Sequence, residues 1–392
     1  MMRPIIFLLA FGLLLSAGCK DAPVSPTGAC TVPQPDTSAL HPKSAVYQRV
    51  LDKYVGEGLP GIALLVRDKD GQWTGAAGMA DIGRGVAMEP CHVAKVASVT
   101  KLFTGVLVMK LVEQGRLNLD DPLTKWLPSK YTSKVRNAGQ CTVRQLLNHT
   151  SGIYDIIEDN TFYLSVLNDP SRQWKPEELL EFAYNKDAVF PPGTDVEYSN
   201  TNFLLAAMVL DAAAGRSHAA LMHELIFDPL EMQNSYYHWH DPLPDFTAQG
   251  YFDLYNNGTL VNMSNFNTGN GNGYGGLYST LFDLKVFIEA LLRDKTLLTP
   301  AGLTEMTTIT AQSADNESYG VAIRKDFLER AADQFALGHR GRDLAYSADL
   351  FYFPNQDATL VFLINYGTDA DSDLQEAFFR FQDEIVDAIL LQ

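Results

Sequence analysis

The chain has 392 residues, of which 46% are apolar and 20% are charged, so it can bury a large core. Its formal net charge of −17 argues against nucleic-acid and other polyanion partners, because phosphate contacts need clustered lysine and arginine side chains. We therefore expect a globular protein with no nucleic-acid partner.

Residues 1–18 predict an export signal. Arg3 supplies a positive start, Ile5–Leu15 is an apolar run too short to span a bilayer comfortably, and small residues follow. The segment Leu15–Cys19 resembles a bacterial lipobox, which implies a lipoprotein with lipid on Cys19, whereas ordinary signal cleavage is the alternative. The resemblance implies a place on the periplasmic side of the outer membrane or on the cell surface, with membrane contact through the lipid anchor only.

Residues 19–43 are rich in proline and predict an extended tether that ends where the folded domain, 44–392, begins. If Cys19 is lipidated, Cys30, Cys91 and Cys141 remain, so at most one disulfide forms. We favour Cys91 with Cys141, because both lie in the predicted folded body whereas Cys30 lies in the tether.

The folded body begins with a predicted helix at Ser44–Gly56, where apolar residues recur at helical spacing. Two strands, Gly61–Arg67 and Trp73–Met79, are expected to pair as a hairpin. The next apolar run, Leu102–Val112, predicts a buried helix.

Ser98 and Lys101 stand at the start of that helix. Residues three apart on a helix share a face, so the lysine amine would lie beside the serine hydroxyl. A serine hydroxyl becomes a good nucleophile when a neighbouring base takes its proton. Lys101 can do so only when neutral, which requires a lowered pKa.

Residues from about 117 to 274 predict a mainly helical insertion. Strand patterns return at 319–325, 335–339, 346–353 and 359–366, followed by an amphipathic helix at 373–390. Strands at both ends of the chain around a helical insertion predict an α+β fold, with one antiparallel sheet formed from both chain ends and flanked by helices.

Two further motifs carry candidate functional residues. Tyr198 and Asn200 follow a Pro-Gly turn and precede a predicted helix, so their loop would present both side chains to a cleft. His339 and Gly341 end a predicted strand, where the glycine would let a substrate backbone approach closely.

The motifs S-x-x-K at Ser98, Y-x-N at Tyr198 and H-x-G at His339 occur in an order that resembles the serine β-lactamase-like hydrolases. This family includes class C β-lactamases, D-alanyl-D-alanine carboxypeptidases and related esterases. Leu146–Ile153 and Gly275–Thr280 carry the same resemblance, which covers about residues 44–390 and implies a β-lactamase/transpeptidase-like fold.

The resemblance also implies roles. Ser98 would form an acyl-enzyme, and backbone N–H groups of Ser98 and Arg342 would stabilise the oxyanion. Either Lys101 or Tyr198 would be the base, and the sequence leaves that choice open. Asn200 would hold the ammonium of Lys101 or a substrate amide.

The roles of the residues beside Gly341 stay open between alternatives. His339 would hydrogen-bond Tyr198 or face a substrate carboxylate. One guanidinium, of Arg340 or Arg342, would bind a C-terminal carboxylate of the substrate, unless both side chains simply face solvent.

The leading hypothesis is an exported serine hydrolase of the D-alanyl-D-alanine carboxypeptidase, peptidase or esterase type, acting on a peptidoglycan stem peptide or an acyl ester. Within the resembling family, the H-x-G form is associated more with these enzymes than with efficient β-lactamases. The alternatives are a class C-type β-lactamase and a non-catalytic binder of cell-wall peptides.

No metal or other cofactor is expected. His238 and His240 have no third ligand at convincing spacing. The glycines of 271–276 follow an asparagine-rich loop and not a strand, so they favour a loop near the cleft over a dinucleotide site. His149 is expected to order the turn that follows it.

Overall fold

The computed structural model describes residues 24–30, 41–313 and 317–390. The predicted signal segment and Cys19 lie outside these residues. Within them, no helix combines the length and apolar character needed to cross a bilayer.

Strands and helices are grouped in runs along the chain, as in an α+β protein. The strands are β1 Gly61–Asp68, β2 Gly71–Asp81, β3 Val86–Ala87, β4 Ala94–Lys95, β5 Tyr236–Tyr237, β6 Tyr251–Phe252, β7 Val261–Asn262, β8 Leu277–Ser279, β9 Ala311–Gln312, β10 Ser318–Tyr319, β11 Arg324–Asp326, β12 Ala336–Arg342, β13 Ser347–Phe353 and β14 Ala358–Ile364. The α-helices are α1 Ser44–Gly56, α2 Thr100–Glu113, α3 Ser129–Thr132, α4 Val143–Leu147, α5 Asn160–Asn168, α6 Pro176–Leu180, α7 Asn200–Ala214, α8 His218–Met222, α9 Leu281–Ile288, α10 Pro300–Thr307 and α11 Asp373–Leu390.

The main sheet joins the two ends of the chain, as the sequence predicts. Its strand order is β3-β2-β1-β14-β13-β12-β11-β10-β9, and neighbouring strands are antiparallel. The central pair sets Ile62 of β1 opposite Ile364 of β14. The predicted fold class is therefore confirmed.

Helices cover both faces of this sheet, because every residue of β13 and β14 is buried. On one face, Phe381 of α11 contacts the rings of Tyr54 in α1 and Phe362 in β14. Helix α9 packs on β13 and β14, and the buried helix α2 lies against α7 and β12. This packing brings the start of α2 beside strand β12.

One predicted strand is wrong. Residues 319–325 form two short strands, β10 and β11, which set Tyr319 opposite Arg324 across a tight turn. Ala322 adopts a φ of +58° in this turn, and the Gly320 N–H donates to the Ile323 carbonyl at 2.9 Å. The turn residues between the strands are apolar, so the sequence gives no polar turn signal there.

The predicted disulfide is also wrong. Cys30 pairs with Cys91, with their Cα atoms 6.0 Å apart, whereas Cys141 is a buried free thiol. Cys30 does not lie in a detached tether as the sequence predicts, so it can reach Cys91.

Residues 24–30 instead pack on the folded body. Thr27 is fully buried, and its Oγ1 donates to the Thr247 carbonyl at 2.7 Å. The Gln249 amide donates to the Ser25 carbonyl at 2.8 Å. These contacts bring Cys30 to Cys91, so this stretch differs from the predicted extended tether.

We predict that Cys30→Ser lowers the free energy of unfolding by about 2–4 kcal/mol, because the disulfide restrains a long loop of the unfolded chain. Urea unfolding with and without a reductant checks this prediction. The reductant should destabilise the wild type and leave the double variant Cys30→Ser/Cys91→Ser unchanged; equal stability of wild type and Cys30→Ser would contradict it.

Candidate active site

Ser98 opens onto a cavity of about 410 Å³. Its walls come from the turn before α2, the loop before α7, the loop before β8, strand β12 and the segment after β14. The lining includes Ser98, Tyr198, Asn200, Tyr274, His339 and Asp369. The three sequence motifs therefore meet at one cavity.

A turn of 3₁₀-helix, Ala97–Val99, places Ser98 directly before α2. Ala97 has a φ of +47°, in the left-handed region that a non-glycine residue occupies at a cost of about 1–3 kcal/mol. The Thr100 hydroxyl donates to the Ala97 carbonyl at 2.6 Å and holds this conformation. The strained turn lets both Ala97 and Ser98 face the cavity.

The Lys101 side chain is fully buried beside Ser98. Its Nζ donates to Ser98 Oγ at 2.8 Å, to Asn200 Oδ1 at 2.7 Å and to the Tyr274 carbonyl at 2.8 Å. These three neutral acceptors match the three donors of an ammonium. When Lys101 is a neutral amine, it has a lone pair available for the proton of Ser98.

Electrostatics bring this lysine close to neutrality. Burial lowers the pKa of Lys101 to about 7, although the carboxylates of Asp155 and Asp369 act in the opposite direction. Asn200 connects Lys101 to Asp155, because its Nδ2 donates to Asp155 Oδ2 at 2.9 Å. Burial raises the pKa of Asp155 to about 6, although hydrogen bonds from Asn200 act to lower it. Near pH 7, a large fraction of Lys101 is neutral.

Tyr198 contacts the same serine. Its hydroxyl hydrogen-bonds with Ser98, and its ring lies under the Lys101 amine, with 4.9 Å between Nζ and the ring centroid. Burial raises the pKa of Tyr198 well above its usual value, although the Ser98 hydrogen bond and the positive charge of Arg324 oppose that rise. The phenol therefore stays protonated near neutral pH.

His149 supports Tyr198 from behind. The two rings stack with centroids 4.4 Å apart, and His149 Nδ1 accepts a hydrogen bond from the Ser199 N–H at 3.1 Å. Burial and the nearby Lys101 amine lower the pKa of His149, so the ring is neutral. Sequence analysis assigned this histidine to the turn after it, whereas the structure places it against the Y-x-N loop as well.

His339 lies on β12 and lines the cavity. Its Nδ1 lies 2.6 Å from the Arg340 carbonyl, and its ring centroid is 6.4 Å from that of Tyr198. Burial, together with the Lys101 and Arg324 side chains, lowers the pKa of His339 far below its usual value. His339 is therefore neutral and offers a substrate carboxylate no positive charge.

Gly341 has a packing reason for being glycine, and its predicted contact with a substrate backbone stays a prediction. A Cβ at this position would lie 2.1 Å from the Val96 carbonyl oxygen. The absence of a side chain lets β12 pack against the turn that carries Ser98, so Gly341 serves the close approach of two backbone segments of the protein itself.

Both arginines of this strand line the cavity and form ion pairs, so they do not simply face solvent, and binding of a substrate carboxylate by one of them stays a prediction. The Arg340 guanidinium pairs with Asp326. Arg342 Nη1 donates to Asp349 Oδ1 at 2.7 Å and to the Ala348 carbonyl at 2.9 Å. Carboxylates of the protein thus already pair with the guanidinium groups of both Arg340 and Arg342.

The sequence did not indicate seven further charged residues that line the cavity: Asp155, Glu158, Glu197, Glu317, Arg324, Asp343 and Asp369. Asp155 follows closely on a segment that carries the family resemblance, so its position offers a weak signal. Arg324 and Asp369 carry no local motif, and the sheet brings them to the site from distant parts of the chain.

His238 and the glycine-rich loop, 271–276, form hydrogen bonds within the protein. His238 Nδ1 lies 3.0 Å from the Asn270 amide nitrogen. The glycine-rich loop supplies the carbonyl of Gly273 to Thr104 and that of Tyr274 to Lys101. Among the described residues, no group of three or more histidine, cysteine, aspartate or glutamate side chains could hold a metal ion.

We predict that Asp155→Asn moves the acid limb of the pH–rate profile to lower pH. The base must be deprotonated, so the rate should rise with pH through about 7 in the wild type. The negative charge of Asp155 raises the pKa of Lys101, so neutral lysine should persist to lower pH when that charge is removed.

The measurement is kcat/KM against pH for both proteins. Asp120→Asn is a matched control, because Asp120 is an exposed carboxylate that pairs with Arg144 outside the cavity. An acid limb that stays in place in Asp155→Asn, or that moves equally in the control, would contradict the prediction.

The comparisons with known proteins agree with this geometry. A family model described as Beta-lactamase matches residues 47–383. The chain is 31% identical over 255 residues to the D-alanyl-D-alanine-carboxypeptidase/endopeptidase AmpH of Escherichia coli K12, over 62% of this chain and 61% of that protein. It is 26% identical to the teichoic acid D-alanine hydrolase of Staphylococcus aureus, over 64% of this chain and 59% of that protein.

A solved structure shows the same fold over nearly its whole length. The D-stereospecific amidohydrolase from Streptomyces sp. superposes with a TM-score of 0.76 at 29% identity, covering 88% of this chain and 98% of that one. In contrast, the match to each of the two curated relatives spans only about three fifths of the relative's own length.

Proposed function

The chain belongs to the beta-lactamase family, whose members are serine hydrolases, and we propose that it hydrolyses D-alanyl peptides or related D-amino-acid amides and esters through an acyl-enzyme on Ser98. One observation carries this proposal: a buried lysine with a pKa lowered to about 7 hydrogen-bonds the serine hydroxyl at 2.8 Å.

In the acylation step, neutral Lys101 takes the hydroxyl proton of Ser98 as Oγ attacks the substrate carbonyl. We assign the base role to Lys101 and not to Tyr198, because burial lowers the pKa of the lysine but raises that of the phenol. Backbone N–H groups of Ser98 and Arg342 are the proposed oxyanion donors, since both residues border the cavity.

Collapse of the tetrahedral intermediate then breaks the bond to the leaving group. The leaving amine or alcohol takes a proton from the Tyr198 hydroxyl, and the resulting phenolate takes the proton held by Lys101, which restores both groups. Water subsequently attacks the ester on Ser98, with Lys101 again taking the proton, and releases the acid product. Asn200 holds the ammonium form of Lys101 between these steps.

The preference for D-configured substrates is supported by the relatives. The names of the two curated relatives refer to D-alanyl-D-alanine and to teichoic acid D-alanine, and that of the solved structure refers to a D-stereospecific amidohydrolase. These names share a D-amino-acid unit. A non-catalytic binder is disfavoured, because burying Lys101 beside Ser98 costs free energy that pure binding does not require.

We predict that Ser98→Ala lowers kcat by at least about 10³-fold on any D-alanyl amide or ester that the wild type cleaves, because no other group then forms the acyl-enzyme. Ser129→Ala is a matched control, since Ser129 is exposed at the start of α3, outside the cavity. Intact mass after brief exposure to substrate should show an acyl adduct on the wild type only.

A cephalosporin assay separates the β-lactamase alternative, because rapid turnover of a chromogenic cephalosporin would favour it over the proposed activity. Hydrolysis of the D-alanyl substrates at an unchanged rate by Ser98→Ala would refute the proposed mechanism.

We also propose that the protein is exported and anchored through lipid on Cys19, as the sequence of residues 1–19 indicates. Expressed from the full gene in a Gram-negative host, the wild type should enter the detergent phase of a phase separation. Cys19→Ser should enter the aqueous phase, and a wild type that is aqueous would contradict the proposal.

A further inference from the structure

One wall of the cavity is acidic. Asp343 follows β12 and Asp369 follows β14, and both line the same cavity as Ser98. Asp343 has a partner cation within the protein, because its Oδ2 lies 2.7 Å from Lys95 Nζ and accepts a hydrogen bond from Thr268 at 3.1 Å.

Among the described residues, no lysine or arginine forms an ion pair with Asp369. The Tyr163 hydroxyl donates to its Oδ2 at 3.1 Å, but within the described part of the chain Oδ1 has no hydrogen-bond partner and neither oxygen has an ion pair. More than a third of the residue is exposed, where it lines the cavity. A carboxylate in this position presents uncompensated negative charge to a bound substrate.

The surroundings of Asp369 make that charge costly. Desolvation by the cavity walls and repulsion from Asp343 and Asp155 raise the pKa of Asp369 to about 6, against the Tyr163 hydrogen bond and the Lys101 charge. A cation bound against the carboxylate would offset both the desolvation and the repulsion.

A neutral acceptor lies in the same cavity. The side chain of Asn270 is buried, and its Nδ2 is 3.0 Å from His238 Nδ1. Burial lowers the pKa of His238 to about 3, so the ring is neutral and Nδ1 can accept this hydrogen bond. The amide is thereby oriented, and its Oδ1 has no protein partner among the described residues while Asn270 lines the cavity.

We infer that Asp369, assisted by Asn270 Oδ1, binds an ammonium group of the substrate. This inference rests on the proposed function and specifies its substrate class: D-aminoacyl amides, esters or peptides with a free ammonium near the scissile carbonyl. The ammonium is either the α-ammonium of the residue that acylates Ser98 or one on a neighbouring side chain. Substrates that place a carboxylate beside Asp369 are disfavoured by like-charge repulsion.

Two pairs of substrates test the inference and distinguish the sources of the ammonium. D-alanine p-nitroanilide is compared with its N-acetyl form, and the peptide Nα-acetyl-L-Lys-D-Ala-D-Ala is compared with its Nα,Nε-diacetyl form. Wild-type kcat/KM should be at least about tenfold higher for the ammonium form of one pair, and that pair identifies the source.

The nearly isosteric Asp369→Asn should reduce this preference to within about twofold, because the neutral amide does not attract the ammonium, whereas any change in the pKa of Lys101 affects both substrates of a pair. Asp371→Asn is the matched control, because Asp371 is exposed in the same segment and does not line the cavity. Equal kcat/KM within both pairs in the wild type, or an undiminished preference in Asp369→Asn, would overturn the inference.

Calorimetric titration of Ser98→Ala separates this inference from the proposed function. The Ser98→Ala protein should bind D-alaninamide at least about tenfold more tightly than N-acetyl-D-alaninamide, and adding Asp369→Asn should abolish the difference. If hydrolysis is absent but this binding difference is present, the proposed function fails and the ammonium site stands. If the acetylated substrates are cleaved through Ser98 and no ammonium preference is found, the proposed function stands and the ammonium site fails.

Discussion

A buried lysine amine without a carboxylate in direct contact is the constraint on which the site depends. Lys101 loses its hydration on folding, and its compensation comes from three neutral oxygen acceptors, one of them the Ser98 hydroxyl. The charged form is therefore held only weakly, and its pKa falls to about 7. The same desolvation that costs stability leaves the amine able to take a proton from serine near neutral pH.

The acceptors come from separate parts of the fold. Ser98 lies in the turn before α2, Asn200 is the first residue of α7, and Tyr274 lies in the loop before β8. Packing of α2 against α7 and of β12 against the serine turn must be complete before Lys101 is satisfied. The last of these contacts requires the glycine at 341. The packing of these elements therefore sets the catalytic geometry, and a substitution that disturbs the packing should also displace the acceptors of Lys101.

Residue types explain which parts of this arrangement the sequence predicts. Ser98, Lys101 and Tyr198 can be found because their chemistry restricts the choice of side chain and their spacing is local. The sheet is predictable from its apolar runs, except at 319–325, where apolar turn residues hide a hairpin. The carbonyl of Tyr274 cannot be found in this way, because every residue has a carbonyl. The partner of Cys30 depends on a segment that folds back, which no local pattern indicates.

The acidic wall connects substrate binding to the chemistry at Ser98. The charge of Asp369 raises the pKa of Lys101 and so opposes formation of the neutral base. The positive charge of a substrate ammonium placed against Asp369 would offset that effect and so lower the pKa of the lysine. Binding of a cationic substrate would therefore increase the fraction of neutral Lys101 at the moment when a carbonyl is present. An acetylated or anionic substrate would bring no such gain, so the same aspartate would contribute to both affinity and rate.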